Sequence, residues 1–183
     1  MVNNSFYSKD ELFSLGLKSF GTDVHISRFA RFYNEGEIEI GNNVRIDDFC
    51  ILSGNIKLGN YIHISAYTAL YGRYGIEMED YSGLSPRCTV FSATDDFSGE
   101  YLIGPMVDSR FTNVNGGKVL LRKYSQIGSN TVILPGVTIG EGVAVGAMSL
   151  IISDLEEWKI YKGIPTVFYK DRSKKLLSYR DDR

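Results

Sequence analysis

Between Leu121 and Ile151 the chain repeats with a strict period of six. Leu121, Ile127, Ile133, Ile139, Val145 and Ile151 are all aliphatic, and compact residues follow four places after most of them (Ser125, Thr131, Val137, Val143, Ser149). Neither common period explains this, because an amphipathic helix repeats every 3.6 residues and a half-buried strand every 2. An aliphatic residue at every sixth place, followed by glycine at Gly128, Gly140 and Gly146, is a hexapeptide repeat. Three hexapeptides make one triangular turn of a parallel β-helix. Each side is a short strand with its aliphatic residue inward, and each corner is bent by Gly, Asn, Asp or Pro. Leu134-Pro135-Gly136 and Gly140-Glu141-Gly142 supply such corners.

The same register runs backwards through the chain. Its earlier turns carry Phe20, Ile26 and Phe32, then Ile40, Ile46 and Leu52, then Leu58, Ile64 and Leu70, then Met78, Leu84 and Val90. A small corner insertion stands at Tyr71-Gly72-Arg73-Tyr74. From Phe91 to Lys118 the register breaks in a polar stretch, expected to be an excursion loop that leaves the prism and reaches a neighbour, as long loops in compact repeats tend to serve as lids, binding loops or interface arms. Ser8-Lys9-Asp10-Glu11 has the form of a capping box, so a short helix through Leu12, Phe13 and Leu15 is expected to cover the open end of the prism. After Ile151 an extended strand through Ile160 and Tyr161 meets Gly163-Ile164-Pro165, and Asp171 to Arg180 reads as a charged helix. The expectation is one all-β domain over residues 1–183: a cap (1–19), a β-helix (20–152) with an excursion loop (91–118), and a C-terminal strand and helix (153–183).

With 43% hydrophobic residues and a net charge of −2, the chain carries no basic face of the size that nucleic acid requires. It has no apolar run of the ~20 residues that span a bilayer and no leader-like start, so a cytoplasmic setting is expected. Cys50 and Cys88 fall on inward positions two turns apart, roughly 10 Å at ~4.8 Å per layer, which is too far for a disulfide. Two His and no Cys-x-x-Cys offer little for a metal site, and none is expected.

The run from Ile127 to Gly140, followed by Val145-Gly146-Ala147 and Gly163-Ile164-Pro165, resembles the hexapeptide-repeat acyltransferases with a left-handed parallel β-helix. Within them it looks most like the sugar O-acetyltransferases, which include galactoside and maltose acetyltransferases and enzymes that decorate surface polysaccharides. The likeness covers about Phe20 to Arg172. It alone implies the left hand, since the rule for parallel crossovers favours the opposite one. It also implies a homotrimer with active sites between subunits, acetyl-CoA as co-substrate in the groove between prisms, and a sugar or nucleotide-sugar acceptor. Carried onto this chain, Gly128, Ala144, Gly146 and Ala147 would let the pantetheine arm lie against the backbone, and Lys162, Lys170 and Arg172 would meet the phosphates. The plain alternative is that these are corner residues and a solvated basic face.

Acyl transfer to a hydroxyl needs a group to accept its proton, and the family commonly places a His at the start of the excursion loop. Aligned through Ser85-Pro86 and Thr89-Val90, that position is Asp95, and the loop has no His. Three solutions stay open. Asp95 serves as base if burial and the like charge of Asp96 raise its pKa. His63 serves instead, placed slightly ahead, on an outward corner in a segment resembling the family's acceptor-lining stretch, although His25 holds the same offset in an earlier turn. Or the acceptor is an amine, which can pass its proton to the departing thiolate and needs no protein base. Ser65, Tyr67, Tyr71, Asp96 and Tyr101 are the candidate acceptor contacts. The first reading is therefore an acetyl-CoA-dependent O-acetyltransferase acting on a sugar hydroxyl in surface polysaccharide synthesis. The alternatives are an N-acetyltransferase of a nucleotide-linked amino sugar and a non-catalytic β-helix scaffold. A γ-type carbonic anhydrase would need three His for zinc, and serine acetyltransferases usually carry a long helical amino-terminal domain; this chain offers neither.

Overall fold

The computed structural model describes residues 5–179, and in it the inward residues stack into three columns, one per side of a prism. On the first side Phe20, Ile40, Leu58, Met78, Leu121 and Ile139 lie in parallel register. The second holds Ile26, Ile46, Ile64, Leu84, Ile127 and Val145, and the third Phe32, Leu52, Leu70, Val90, Ile133 and Ile151. Leu155 and Tyr161 start another turn beneath Ile139 and Val145. The compact fourth-place residues are buried with the aliphatic ones. Cys50 and Cys88 are free thiols on either side of buried Thr68, pushed up to about 11 by burial.

Corners repeat as faithfully as sides. Tyr61, Tyr81, Tyr124 and Trp158 share one corner, and Phe49, Tyr67 and Arg87 the next, all at left-handed φ between 55° and 63°. That conformation costs a non-glycine residue on the order of 1–2 kcal/mol. Stacking at the rung spacing offsets it: Tyr61 meets Tyr81 at 4.6 Å, Tyr81 meets Tyr124 at 5.3 Å, and Phe49 meets Tyr67 at 5.0 Å. Rungs ~4.8 Å apart hold rings inside the favoured stacking range, which explains the abundance of tyrosine. Elsewhere the rungs come too close for any side chain, and a Cβ on Gly128 would stand 2.5 Å from the amide nitrogen of Ala147.

At the start of the prism, the helix Lys9–Phe13 forms with both bonds of its capping box, and Leu12 is buried against the core. Arg28 grips Glu11 through two bonds of 2.7 and 2.6 Å, fastening the helix to the first turn. At the other end the expectation needs correction. Val167–Asp171 is extended and pairs antiparallel with Lys159–Lys162, and in place of the helix expected from Asp171 the described residues form only a 3-10 turn, Lys175–Tyr179. The last prism strand presents an open edge, and the returning strand satisfies its amides. Arg180, the expected end of that helix, lies outside the described residues. The excursion is likewise not structureless, since Ala93–Asp95 pairs antiparallel with Val114–Gly116 to form a two-stranded ribbon.

Candidate functional site

The excursion leaves from the corner between the third and first sides. There the strands Ile51–Leu58 and Ala69–Met78 run around the bend, so the Tyr71 to Tyr74 insertion is held on a continuous ladder. Between insertion and ribbon lies a cleft of about 420 Å³ lined by Arg73, Thr94, Asp95, Val107, Ser109 and Thr112 among others. Asp95 sits half-buried at the end of the ribbon strand, opposite Val114. Its neighbour Asp96 does something different: its carboxylate accepts from the amide of Ser98 and from Asn113 Nδ2, both at 2.8 Å. Those bonds hold its carboxyl below the usual range, led by the one from Ser98. Asp96 therefore fastens the loop and stays ionised, with its negative charge beside Asp95. Tyr101 lies exposed further out on the loop, and Tyr71 stacks on Phe91 at 5.3 Å beside the cleft.

His63 stands elsewhere. It faces outward from the middle of the second side, paired in register with Arg45 and Gly83, rather than at a corner. Its Nε2 is 2.7 Å from Asp47, whose other oxygen accepts from Arg45 Nε at 2.7 Å. Burial pushes the Asp47 carboxyl up, yet the two donors outweigh it and leave the group below its usual value. Asp47 was invisible as a partner in the sequence because it belongs to the preceding rung. Ser65 is buried at the corner between the second and third sides, with its carbonyl facing Cys50 Sγ at 3.2 Å. Tyr67 stands at the same corner under the guanidinium of Arg87. Within one chain, then, His63, Ser65 and Tyr67 form one neighbourhood, and Asp95, Asp96, Tyr71 and Tyr101 another. Ser85 belongs with the first group, at the start of the corner that precedes strand Thr89–Phe91.

Ala144 points outward from the second side, with Gly128, Gly146 and exposed Ala147 at the adjoining corner, so together they make a strip with little relief. Lys162 and Lys170 are exposed and lie 3.8 and 5.5 Å from the ring of Tyr169. Arg172 behaves differently. Its Nη1 donates to the carbonyls of Tyr124, Gly142 and Val143 at 2.9, 3.0 and 3.1 Å, and burial lowers its pKa.

The family model described as bacterial transferase hexapeptide (six repeats) matches residues 118–153. The chain is 40% identical over 176 residues to a dTDP-4-amino-4,6-dideoxy-D-glucose acyltransferase of Escherichia coli, covering 94% of this chain and 92% of that protein. It is 52% identical to AntD, an N-acyltransferase of Bacillus cereus, whose crystal structure with dTDP-4-amino-4,6-dideoxyglucose and coenzyme A superposes with a TM-score of 0.94 over 96% of this chain and 95% of that one. AntD has also been crystallised with dTDP and 3-hydroxybutyryl-CoA, and as variants at a serine and at an aspartate ten positions later. A galactoside acetyltransferase bound to coenzyme A is 18% identical with a TM-score of 0.62, over 95% of this chain and 75% of that one, a likeness of fold alone.

Proposed function

Because the chain belongs to the hexapeptide-repeat transferase family, we propose that it transfers an acyl group from coenzyme A to the amino group of a nucleotide-linked amino sugar of the dTDP-4-amino-4,6-dideoxyglucose type. The observation that carries this reading is Asp95 in the cleft where a hydroxyl-directed relative would need its histidine. A hydroxyl must lose its proton to a base as it attacks, whereas a neutral amine is nucleophilic enough to attack first and lose its proton afterwards. The amine nitrogen bonds to the thioester carbon, the carbon–sulfur bond breaks, and the nitrogen's proton leaves with the coenzyme A sulfur. Asp95 then holds the amine in place as a hydrogen-bond acceptor and can take the extra proton of a substrate that arrives as ammonium. The sugar O-acetyltransferase expectation gives way here: it shares fold and co-substrate, but its support comes from likenesses far more distant than those to amino-sugar enzymes.

Two copies must meet for this site. Ser85 and Asp95 have the residue types and ten-residue spacing of the two altered AntD positions. In one chain they stand at opposite ends of a prism side, on the order of 15 Å apart at ~3.3 Å per strand residue. They reach one sugar only if a neighbouring copy turns its Ser85 corner toward this cleft, which favours the homotrimer with shared sites. The strip of Ala144, Gly128, Gly146 and Ala147 then serves as the bed of the pantetheine arm, and Lys162 and Lys170 as point charges for its phosphates. Both substrates suit a cytoplasmic enzyme, and no helix among the described residues is long and apolar enough to cross a membrane.

The test is thiol release from acetyl-CoA and 3-hydroxybutyryl-CoA with dTDP-4-amino-4,6-dideoxyglucose and with its 4-hydroxy counterpart. Release with the amine alone is expected. Equal or greater release with the hydroxyl sugar would return the chain to the O-acyltransferases.

A further inference from the structure

At the corner that carries the cleft, an outward column reads Tyr33, Ser53, Tyr71 and Phe91, one residue per rung. Tyr71 and Phe91 stack, but at Ser53 the aromatic column is interrupted. A flat ring seated at the Ser53 rung would lie one rung from Tyr71, about 4.8 Å away. That is inside the favoured range for stacked rings. Against Tyr71 at the Ser53 rung opens a slot of about 410 Å³ lined by Asn34, Glu37, Ser53, Gly54, Tyr71, Gly72 and Arg73. Its floor is bare backbone by necessity: a Cβ on Gly54 would stand 2.9 Å from the carbonyl carbon of Gly72, and one on Gly72 2.6 Å from the carbonyl oxygen of Asn55. Asn34, Glu37 and Ser53 offer the donors and acceptors that read the edge of a base or bind a sugar hydroxyl.

Arg73 lines both this slot and the cleft with Asp95. Most described arginines are engaged by carboxylates or carbonyls, but Arg73 forms no ion pair and donates no hydrogen bond among the described residues. It rests only at 6.0 Å over the ring of Tyr74. Its backbone is nonetheless held firmly, because buried Ser92 donates its hydroxyl to the carbonyl of Tyr71 and accepts from the amide of Tyr74, at 3.0 and 2.8 Å. A positioned, uncompensated guanidinium between a ring-sized slot and a carboxylate-bearing cleft fits a diphosphate, which its planar fork meets with two parallel bonds.

We propose that the slot over Ser53 and Gly54 takes the nucleobase of the acceptor and that Arg73 grips its diphosphate, leaving the amino sugar to extend to Asp95. This rests on the nucleotide-sugar reading above. It assigns to Arg73 the discrimination between a nucleotide-linked sugar and a free one.

Calorimetry on the full chain with two probes, dTDP and inorganic diphosphate, separates the parts. Arg73→Ala should weaken both at least tenfold, while binding of coenzyme A stays within twofold and the melting temperature is unchanged. Ser53→Phe, which completes the aromatic column, should weaken dTDP at least tenfold and leave inorganic diphosphate within twofold. If wild type binds dTDP and both variants bind it as tightly, the slot assignment is overturned while the acceptor reading stands. If wild type does not bind dTDP, the acceptor reading falls and the slot with it.

Discussion

Arg172→Met separates a structural arginine from a coenzyme-binding one. The side chain keeps its length and loses three contacts, from Nη1 to the carbonyls of Tyr124, Gly142 and Val143. The Val143 carbonyl also accepts the amide of Gln126, so the loss there is the smallest of the three. A hydrogen bond to a charged group contributes about 1.5–3 kcal/mol, and water reaching this half-buried site replaces part of it, leaving about 2 kcal/mol in all. For a chain of this length each kcal/mol moves the melting temperature by about 2–4 °C, so a fall of about 4–8 °C is expected by scanning calorimetry. The Michaelis constant for acyl-CoA should stay within about twofold. Lys170→Ala makes the complementary case: Lys170 touches only the ring of Tyr169 and the strand pairing is kept, so melting should not change while that constant rises. A tenfold rise in the constant for Arg172→Met with unchanged melting would refute the latch and make Arg172 a phosphate ligand.

The remaining tests concern chemistry and pH. With an amine acceptor, Asp95→Asn should raise the Michaelis constant for the amino sugar and lower kcat less than tenfold. A loss of ~10²-fold or more in kcat would mean that a protein base takes part after all. His63→Ala should leave kcat within a few-fold, since its Nε2 is engaged by Asp47; abolished turnover with intact coenzyme A binding would restore it as the base. Arg28 and Ser8 pull the Glu11 carboxyl from 4.5 to about 2. A depressed carboxylate stabilises the fold above its unfolded value and stops doing so as pH falls through its folded one. The melting difference between wild type and Glu11→Gln should therefore be full at pH 6 and close between 4.5 and 2, and a difference that persists at pH 2 would count against the clamp. Light scattering should give about three times the chain mass, and a stable monomer would undo the shared site.

The prism was written in the sequence almost rung by rung. A period of six suits short strands that bury one residue each on the three sides of a prism, so the columns from Phe20 to Ile151 were legible from the chain alone, though its hand was not. The capping box was equally local and formed as expected. Other features depended on which rungs became neighbours. Asp47 lies sixteen residues before His63 and Ser92 twenty-one after Tyr71, yet each pair is adjacent across one layer, with no local periodicity to announce it. The C-terminal segment turned on an open edge that exists only once the last rung has formed: Val167–Asp171 pairs with it, and of the charged stretch read as a helix from Asp171 only the 3-10 turn Lys175–Tyr179 is helical among the described residues. The division of the expected site residues between two corners is likewise a property of the closed triangle. Along the chain Ser85 and Asp95 are close, but the strand Thr89–Phe91 between two corners sets them apart, a separation that only the tertiary fold decides.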